Sequence, residues 1–255
     1  MDHLEFYNCY KNSDTVLKPL PDYDIESQVL WILTGNGYHW VELDCKFDAE
    51  SWQDDATLAT DYYVPHRDEM SGEGTHEGWS SCVLHGIATD KTNEWRTYGF
   101  SKEPEYNWTE LGHKTKNIQS FFNNTFPAED YARIRFMKLA AGGWISPHND
   151  YSPLVTERNV FDWPLPINIA VDHPDNCHMT LKDQGCVPFK NGKAFLVNIF
   201  NDHSVINNSN KDRLHVIAHC YLGSRKQDFM KLIIDSYQKQ HERISKEIQN
   251  LDLSS

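Results

Sequence analysis

The segment Arg133-Ile-Arg-Phe-Met-Lys-Leu-Ala-Ala-Gly-Gly-Trp-Ile-Ser-Pro-His-Asn-Asp150 joins a mixed apolar and basic run to a His-Asn-Asp triplet. The run over residues 132–139 predicts a strand, and Ala141-Gly142-Gly143 is expected to break it. Trp144-Ile145 is a second short extended run, and Pro147 sets an extended backbone leading into His148. Side chains alternate along such a backbone, so His148 and Asp150 are expected on one side, where one metal ion can take both. Two histidines and one carboxylate on a face leave open coordination positions, a donor set that suits Fe(II).

A His-x-Asp pair carries little information by itself. With 13 histidines the chain holds two more, His66-Arg67-Asp68 and His173-Pro174-Asp175. Context separates them. Residues 65–78 are polar and without a strand pattern, so His66 reads as a loop residue. His173 and Asp175 flank a proline just past the strand-like run 166–171 and read as a turn. His148 has a partner at a useful remove, because His203 follows the strong strand pattern of residues 193–200 and Arg213 opens the next, 214–221. The rigid guanidinium fork matches a carboxylate. Arg213 is therefore expected to take a buried carboxylate ligand rather than pair with Asp212 or Asp202. His215 and His219 share its strand face and read as pocket wall or core.

These residues resemble the aspartyl/asparaginyl β-hydroxylase family of Fe(II)- and 2-oxoglutarate-dependent oxygenases. The segment ending at His148-Asn-Asp150 is similar to that family's first-ligand block, and Asn191-Gly-Lys-Ala-Phe-Leu-Val-Asn-Ile-Phe-Asn-Asp-His203 to its distal-histidine block. The family places an arginine ten positions after the distal histidine, paired with the remote carboxylate of 2-oxoglutarate, and Arg213 stands there. The resemblance, over residues 78–222, implies a mainly β fold with flanking helices: a double-stranded β-helix, or jelly roll, of the cupin-like kind. It implies His148, Asp150 and His203 as iron ligands, Arg213 as the co-substrate residue and Trp79, in Gly78-Trp79, as a pocket wall. Asp150 is present where some relatives have lost the carboxylate, which argues against halogenation. Met137 stands where some relatives carry a hydroxyl near 2-oxoglutarate, and Asn168 stands near the place of an expected histidine.

The chain has 255 residues, 39% hydrophobic and 13% aromatic with eight tryptophans, enough for a substantial β-rich core. Its net charge of −13 repels phosphate backbones and anionic membranes, so neither nucleic acid nor membrane is expected as partner. Six cysteines at irregular spacing, with no Cys-x-x-Cys pair, read as reduced. The first residues lack a basic start and an apolar segment, and no stretch is long enough to span a bilayer. A cytoplasmic enzyme is the expectation.

Residues 1–77 read as an α/β extension packed on the core, with Asp24 and Asp48 capping helices and residues 67–78 a solvated loop or lid. Residues 78–223 read as the oxygenase core, where short strands separated by turns fit a sandwich or barrel. Residues 224–255 read as a helix with an apolar stripe through Met230, Ile233, Ile234, Tyr237, His241, Ile244, Ile248 and Leu251. That stripe packs on its own domain or makes a homodimer contact.

The expected reaction hydroxylates a C–H bond of an amino acid or an Asp/Asn-type side chain, with O2 consumed and succinate and CO2 formed. The substrate is a small amino-acid-like molecule or a peptide. Arg135, on the strand face of Met137, is the candidate substrate clamp, with a structural salt bridge as its alternative. A cupin-type metal enzyme without 2-oxoglutarate accounts for the three ligands but leaves Arg213 idle. A metal-free jelly-roll binding protein leaves the ligands idle as well.

Overall fold

The computed structural model describes residues 18–66, 76–150 and 164–253. Among them, helix α1 (Ile25–Leu33), strand β1 (Trp40–Leu43), helix α2 (Ala49–Thr57) and strand β2 (Val64–Pro65) precede the long strand β3 (His76–Gly86). Strand β4 (Asn107–Trp108), the short helices α3 (Glu110–Lys114) and α4 (Lys116–Ser120) and strand β5 (Asp130–His148) follow. Then come β6 (Leu165–Asp172), β7 (Cys177–Leu181), β8 (Gly185–Cys186), β9 (Lys193–Val197), β10 (His203–Asn207), β11 (Arg213–Tyr221) and helix α5 (Lys226–Leu253). The expected caps form: Asp24 accepts from Ser27 N and Asp48 from Glu50 N, each satisfying a free amide of the first helical turn.

The strands pair antiparallel in the order β1-β9-β6-β11-β5-β10-β7-β8, with β3 also on β5, and β2 and β4 on β3. Strand β5 stands inside this order and joins its two halves. Residues 130–139 pair with β11, and residues 144–148 pair with β10. The sheet therefore curls into a double-stranded β-helix, mainly β with helices at its flanks.

Gly142-Gly143 does not end the strand, contrary to the break expected there. It is the corner at which continuous β5 changes partner. Gly142 has φ +76°, which favours glycine, and a Cβ on Gly143 would lie 2.8 Å from the Glu77 carbonyl oxygen and 2.9 Å from that of Ala140. The pattern over 193–200 also overruns its strand. β9 stops at Val197, and Asn198 N turns to the His39 carbonyl at 2.8 Å.

Strand alternation divides β11. Val216, Ala218 and Cys220 join the apolar core, while Arg213, Ile217, His219 and Tyr221 line a cavity on the other face. Residues 40–43 extend the same sheet at its edge through β9. An open edge invites pairing with another chain, and α5 closes it. Gln240 accepts from Glu42 N (2.8 Å) and donates to the Trp40 carbonyl (3.0 Å), and Ser236 Oγ accepts from Asp44 N (2.9 Å). The stripe of Met230, Ile233, Ile234, Tyr237 and Ile244 is buried in the core of its own chain. Cys45, Cys82, Cys177, Cys186 and Cys220 are all free. Among the described residues no helix is long and apolar enough to cross a membrane. Of the loop or lid expected over residues 67–78, residues 67–75 lie outside the described residues, and residues 76–78 are not loop but the start of β3, paired with β5.

Candidate metal centre and its cavity

His148 closes β5 and His203 opens β10, and the ladder sets them opposite one another with ring centroids 4.3 Å apart. Their Nδ1 atoms lie close to the carbonyl oxygens two residues earlier, Ser146 (2.8 Å) and Asn201 (2.9 Å). A carbonyl accepts, so each Nδ1 carries the proton and donates it. In that tautomer the unprotonated Nε2 is the nitrogen that could ligate a metal. Asp202, which could have satisfied His203, instead accepts from Asn149 (2.8 Å) and Lys182 (3.2 Å). Its pKa falls on account of those two partners, Asn149 first.

Asp150 lies past the end of β5, so strand alternation is not what positions it. Its amide donates to the Ile199 carbonyl at 3.0 Å, which is available because β9 ends at Val197. One ligand atom from each of His148, Asp150 and His203 then falls within 4.8 Å of the others. Two neutral imidazoles and one carboxylate, offering nitrogen and oxygen on one side, fit a divalent first-row metal such as Fe(II).

The three residues open onto a cavity of about 650 Å³, inside the roughly 300–1,000 Å³ usual for small-molecule sites. Trp79, Arg135, Met137 and Arg213 all line it. Arg213 is 3% exposed and forms no ion pair with Asp212, whose carboxylate accepts from Ala141 N (3.0 Å) and lies 3.9 Å from Lys138 Nζ. The guanidinium sits 5.7 Å from the Phe189 ring centroid, and Nη2 lies 2.9 Å from His215 Nδ1. Its Nε has no hydrogen-bond partner among the described residues. Burial lowers the Arg213 pKa to about 10. A buried cation without a carboxylate is costly, and a ligand carboxylate entering the cavity offsets that cost.

Arg135 is 6% exposed, and its Nη1 donates to the Thr92 carbonyl. Arg133 and His219 line the same cavity. His66 is not a loop residue in polar surroundings. Pairing of β2 with β3 and the bond from His66 N to the Trp79 carbonyl (3.0 Å) draw it in. Its ring is buried 4.3 Å from the Trp79 ring, with Nδ1 2.8 Å from Ser81 Oγ. A two-residue strand has no periodicity to announce it. His173 is likewise more than a turn residue, since its Nδ1 lies 2.9 Å from Nε2 of buried His215. That contact depends on the register of β6 with β11.

Burial lowers the pKa of His85 to about 4 and of His173 to about 3, and holds His215 well below the usual value. In the unfolded chain each returns to about 6.5. Above that pH both states are neutral and stability does not change. Below it the unfolded chain binds protons that the native state refuses, so stability falls as pH drops from about 6.5 toward 4. Urea midpoints at pH 7.5, 6.5, 5.5 and 4.5 measure this, and the fall should be shallower in His85→Leu. A midpoint constant down to pH 4.5 contradicts the burial argument.

Residues 67–221, more than half of the chain, match the family model described as aspartyl/asparaginyl beta-hydroxylase. No curated protein sequence matches the chain. The structure is similar to an oxidoreductase of the 2OG-Fe(II) oxygenase family from Burkholderia pseudomallei, at 12% identity and TM-score 0.48 over 82% of this chain and 99% of the other. It is also similar to a prolyl hydroxylase from Trichoplax adhaerens, at 8% identity and TM-score 0.47 over 89% of this chain and 96% of the other. A prolyl-4-hydroxylase from Pseudomonas putida matches at 11% identity and TM-score 0.41 over 77% and 98%.

Proposed function

The chain belongs to the aspartyl/asparaginyl β-hydroxylase family, and from that premise we propose that His148, Asp150 and His203 hold Fe(II) and that Arg213 takes the far carboxylate of 2-oxoglutarate. Arg213 carries the reading: a buried guanidinium with no carboxylate partner among the described residues faces the same cavity as the three-residue cluster. A cupin-type enzyme without a dicarboxylate co-substrate gives that arginine nothing to bind. Together the iron, 2-oxoglutarate and O2 supply oxidative decarboxylation to succinate and CO2 with hydroxylation of a substrate C–H bond.

The protein contributes position and exclusion of water. The carbonyls of Ser146 and Asn201 fix the two imidazole tautomers, and the Ile199 carbonyl fixes the backbone of Asp150. Trp79, backed by His66, and Met137 supply bulky wall to the cavity. In such a site a carboxylate is held by oriented N–H groups rather than by mobile water.

The substrate we assign is an amino acid or a short peptide side chain of Asp or Asn type, with Arg135 as its clamp. Arg133 and Arg135 bring positive charge to one strand face of a chain whose net charge is −13. The cavity volume leaves room for a small molecule beside the co-substrate. Free thiols at the described cysteines fit a reducing compartment such as the cytoplasm. The test offers Fe(II), 2-oxoglutarate and O2 with free amino acids, short Asp- or Asn-containing peptides and folded proteins. Mass spectrometry then scores the gain of one oxygen atom. Turnover of free amino acids or peptides is expected. Hydroxylation confined to folded proteins refutes the small-substrate assignment.

A further inference from the structure

Behind Arg213 runs a line of buried polar groups that joins three strands. His215 lies two residues along β11 on the same face, its Nδ1 2.9 Å from Arg213 Nη2. Its Nε2 is 2.9 Å from Nδ1 of His173, just past β6, and His173 Nε2 is 2.9 Å from the carbonyl of Cys177, which opens β7. Phe189 packs on both imidazoles, with centroids 4.7 Å from His215 and 5.2 Å from His173.

The direction of every bond in this line follows from its far end. The Cys177 carbonyl can only accept, so His173 carries its proton on Nε2. A neutral imidazole has one N–H, which makes His173 Nδ1 an acceptor and requires His215 to donate from Nε2. His215 Nδ1 is then an acceptor and takes a proton from Arg213 Nη2. Burial keeps both rings neutral, so the order is not scrambled by protonation. Asn168 Oδ1 lies 2.5 Å from the same Nδ1; two acceptors repel, so with Nδ1 taking the Arg213 proton the Asn168 amide is turned to present its NH2 group to the ring.

We propose that His215 and His173 are positioning residues for the co-substrate: a two-histidine brace, oriented from the Cys177 carbonyl, that fixes the Arg213 guanidinium so that its remaining N–H groups meet the ligand carboxylate. The Arg213 Nε, buried and without a partner among the described residues, is one of those groups. The inference rests on the reading of Arg213 as the 2-oxoglutarate residue.

The test uses the full chain loaded with Mn(II), without turnover. Binding of 2-oxoglutarate is followed by calorimetry beside that of 2-oxobutyrate, which lacks the far carboxylate. His173→Phe removes the acceptor that orients His215 without touching Arg213 or the metal ligands. It should weaken 2-oxoglutarate roughly ten- to a hundred-fold, the scale of a hydrogen bond to a charged group. Binding of 2-oxobutyrate and Mn(II) should stay within about twofold on the same argument. His173→Asn, which returns an acceptor oxygen near the position of Nδ1, should keep most of the affinity. His215→Phe, set between Phe189 and Met137, is the independent second substitution and should match His173→Phe; a folded fraction is confirmed by thermal melt. Unchanged 2-oxoglutarate affinity in the phenylalanine variants overturns the brace, as does an equal loss for 2-oxobutyrate or for His173→Asn. Failure of the wild-type protein to bind 2-oxoglutarate overturns the co-substrate reading itself and the brace with it.

Discussion

A His203→Ala protein is expected to lose nearly all metal retention and all 2-oxoglutarate-dependent succinate formation while still melting cooperatively. Three donors lie within 4.8 Å of one another, and this change removes one of two nitrogens from the set. Loss of a group that merely orients a ligand costs about 10–100-fold in metal affinity. Loss of the ligand itself must cost more. The fold should survive because β10 is held by backbone pairing to β5 and β7, and the imidazole faces the cavity instead of the apolar core. Metal content after desalting, read beside a thermal melt, checks both halves. His66→Ala is the contrast: its ring backs Trp79 and is outside the ligand set, so metal should be retained. Full metal content in His203→Ala sinks the ligand assignment.

Arg213→Ala is expected to leave metal binding intact and to raise the 2-oxoglutarate requirement by a factor on the order of 100 or more. Truncating one partner of a buried, hydrogen-bonded charge pair costs about 2–5 kcal/mol, and each 1.4 kcal/mol is about tenfold. The arginine is 3% exposed, so solvent screens little of that interaction. Its removal also relieves a buried cation in the ligand-free protein, so the variant should be at least as stable as the parent. Succinate formation against 2-oxoglutarate concentration gives the first number and a melt without ligand gives the second. An unchanged requirement would move the protein to a cupin-type chemistry that does not use the dicarboxylate.

The core strands and the three-residue candidate cluster were legible because they rest on local signals. Residues 132–139 and 214–221 alternate between core and cavity at a period of two, and Asp24 and Asp48 mark helix starts by capping chemistry. His148 and His203 stand at the ends of strands that pair as β5 and β10, and the ten-residue step to Arg213 survives in the sequence. The Gly142-Gly143 corner misled because the composition of a turn and of a strand bend is the same. Whether the chain stops pairing or changes partner depends on which strand waits beyond it, here β10.

The family of the chain, its β-rich class and the residues gathered in the candidate metal cluster were therefore readable from the amino-acid order alone. The tertiary structure decided what each is held by. Asp150 reaches the cluster through the Ile199 carbonyl, His66 enters the wall through a two-residue strand, and His173 reaches His215 across the β6–β11 register. Each of these contacts joins residues far apart in the chain. Periodicity and spacing report what a segment does with its own neighbours, whereas a proton shared between two strands is fixed by their register, which no single segment contains.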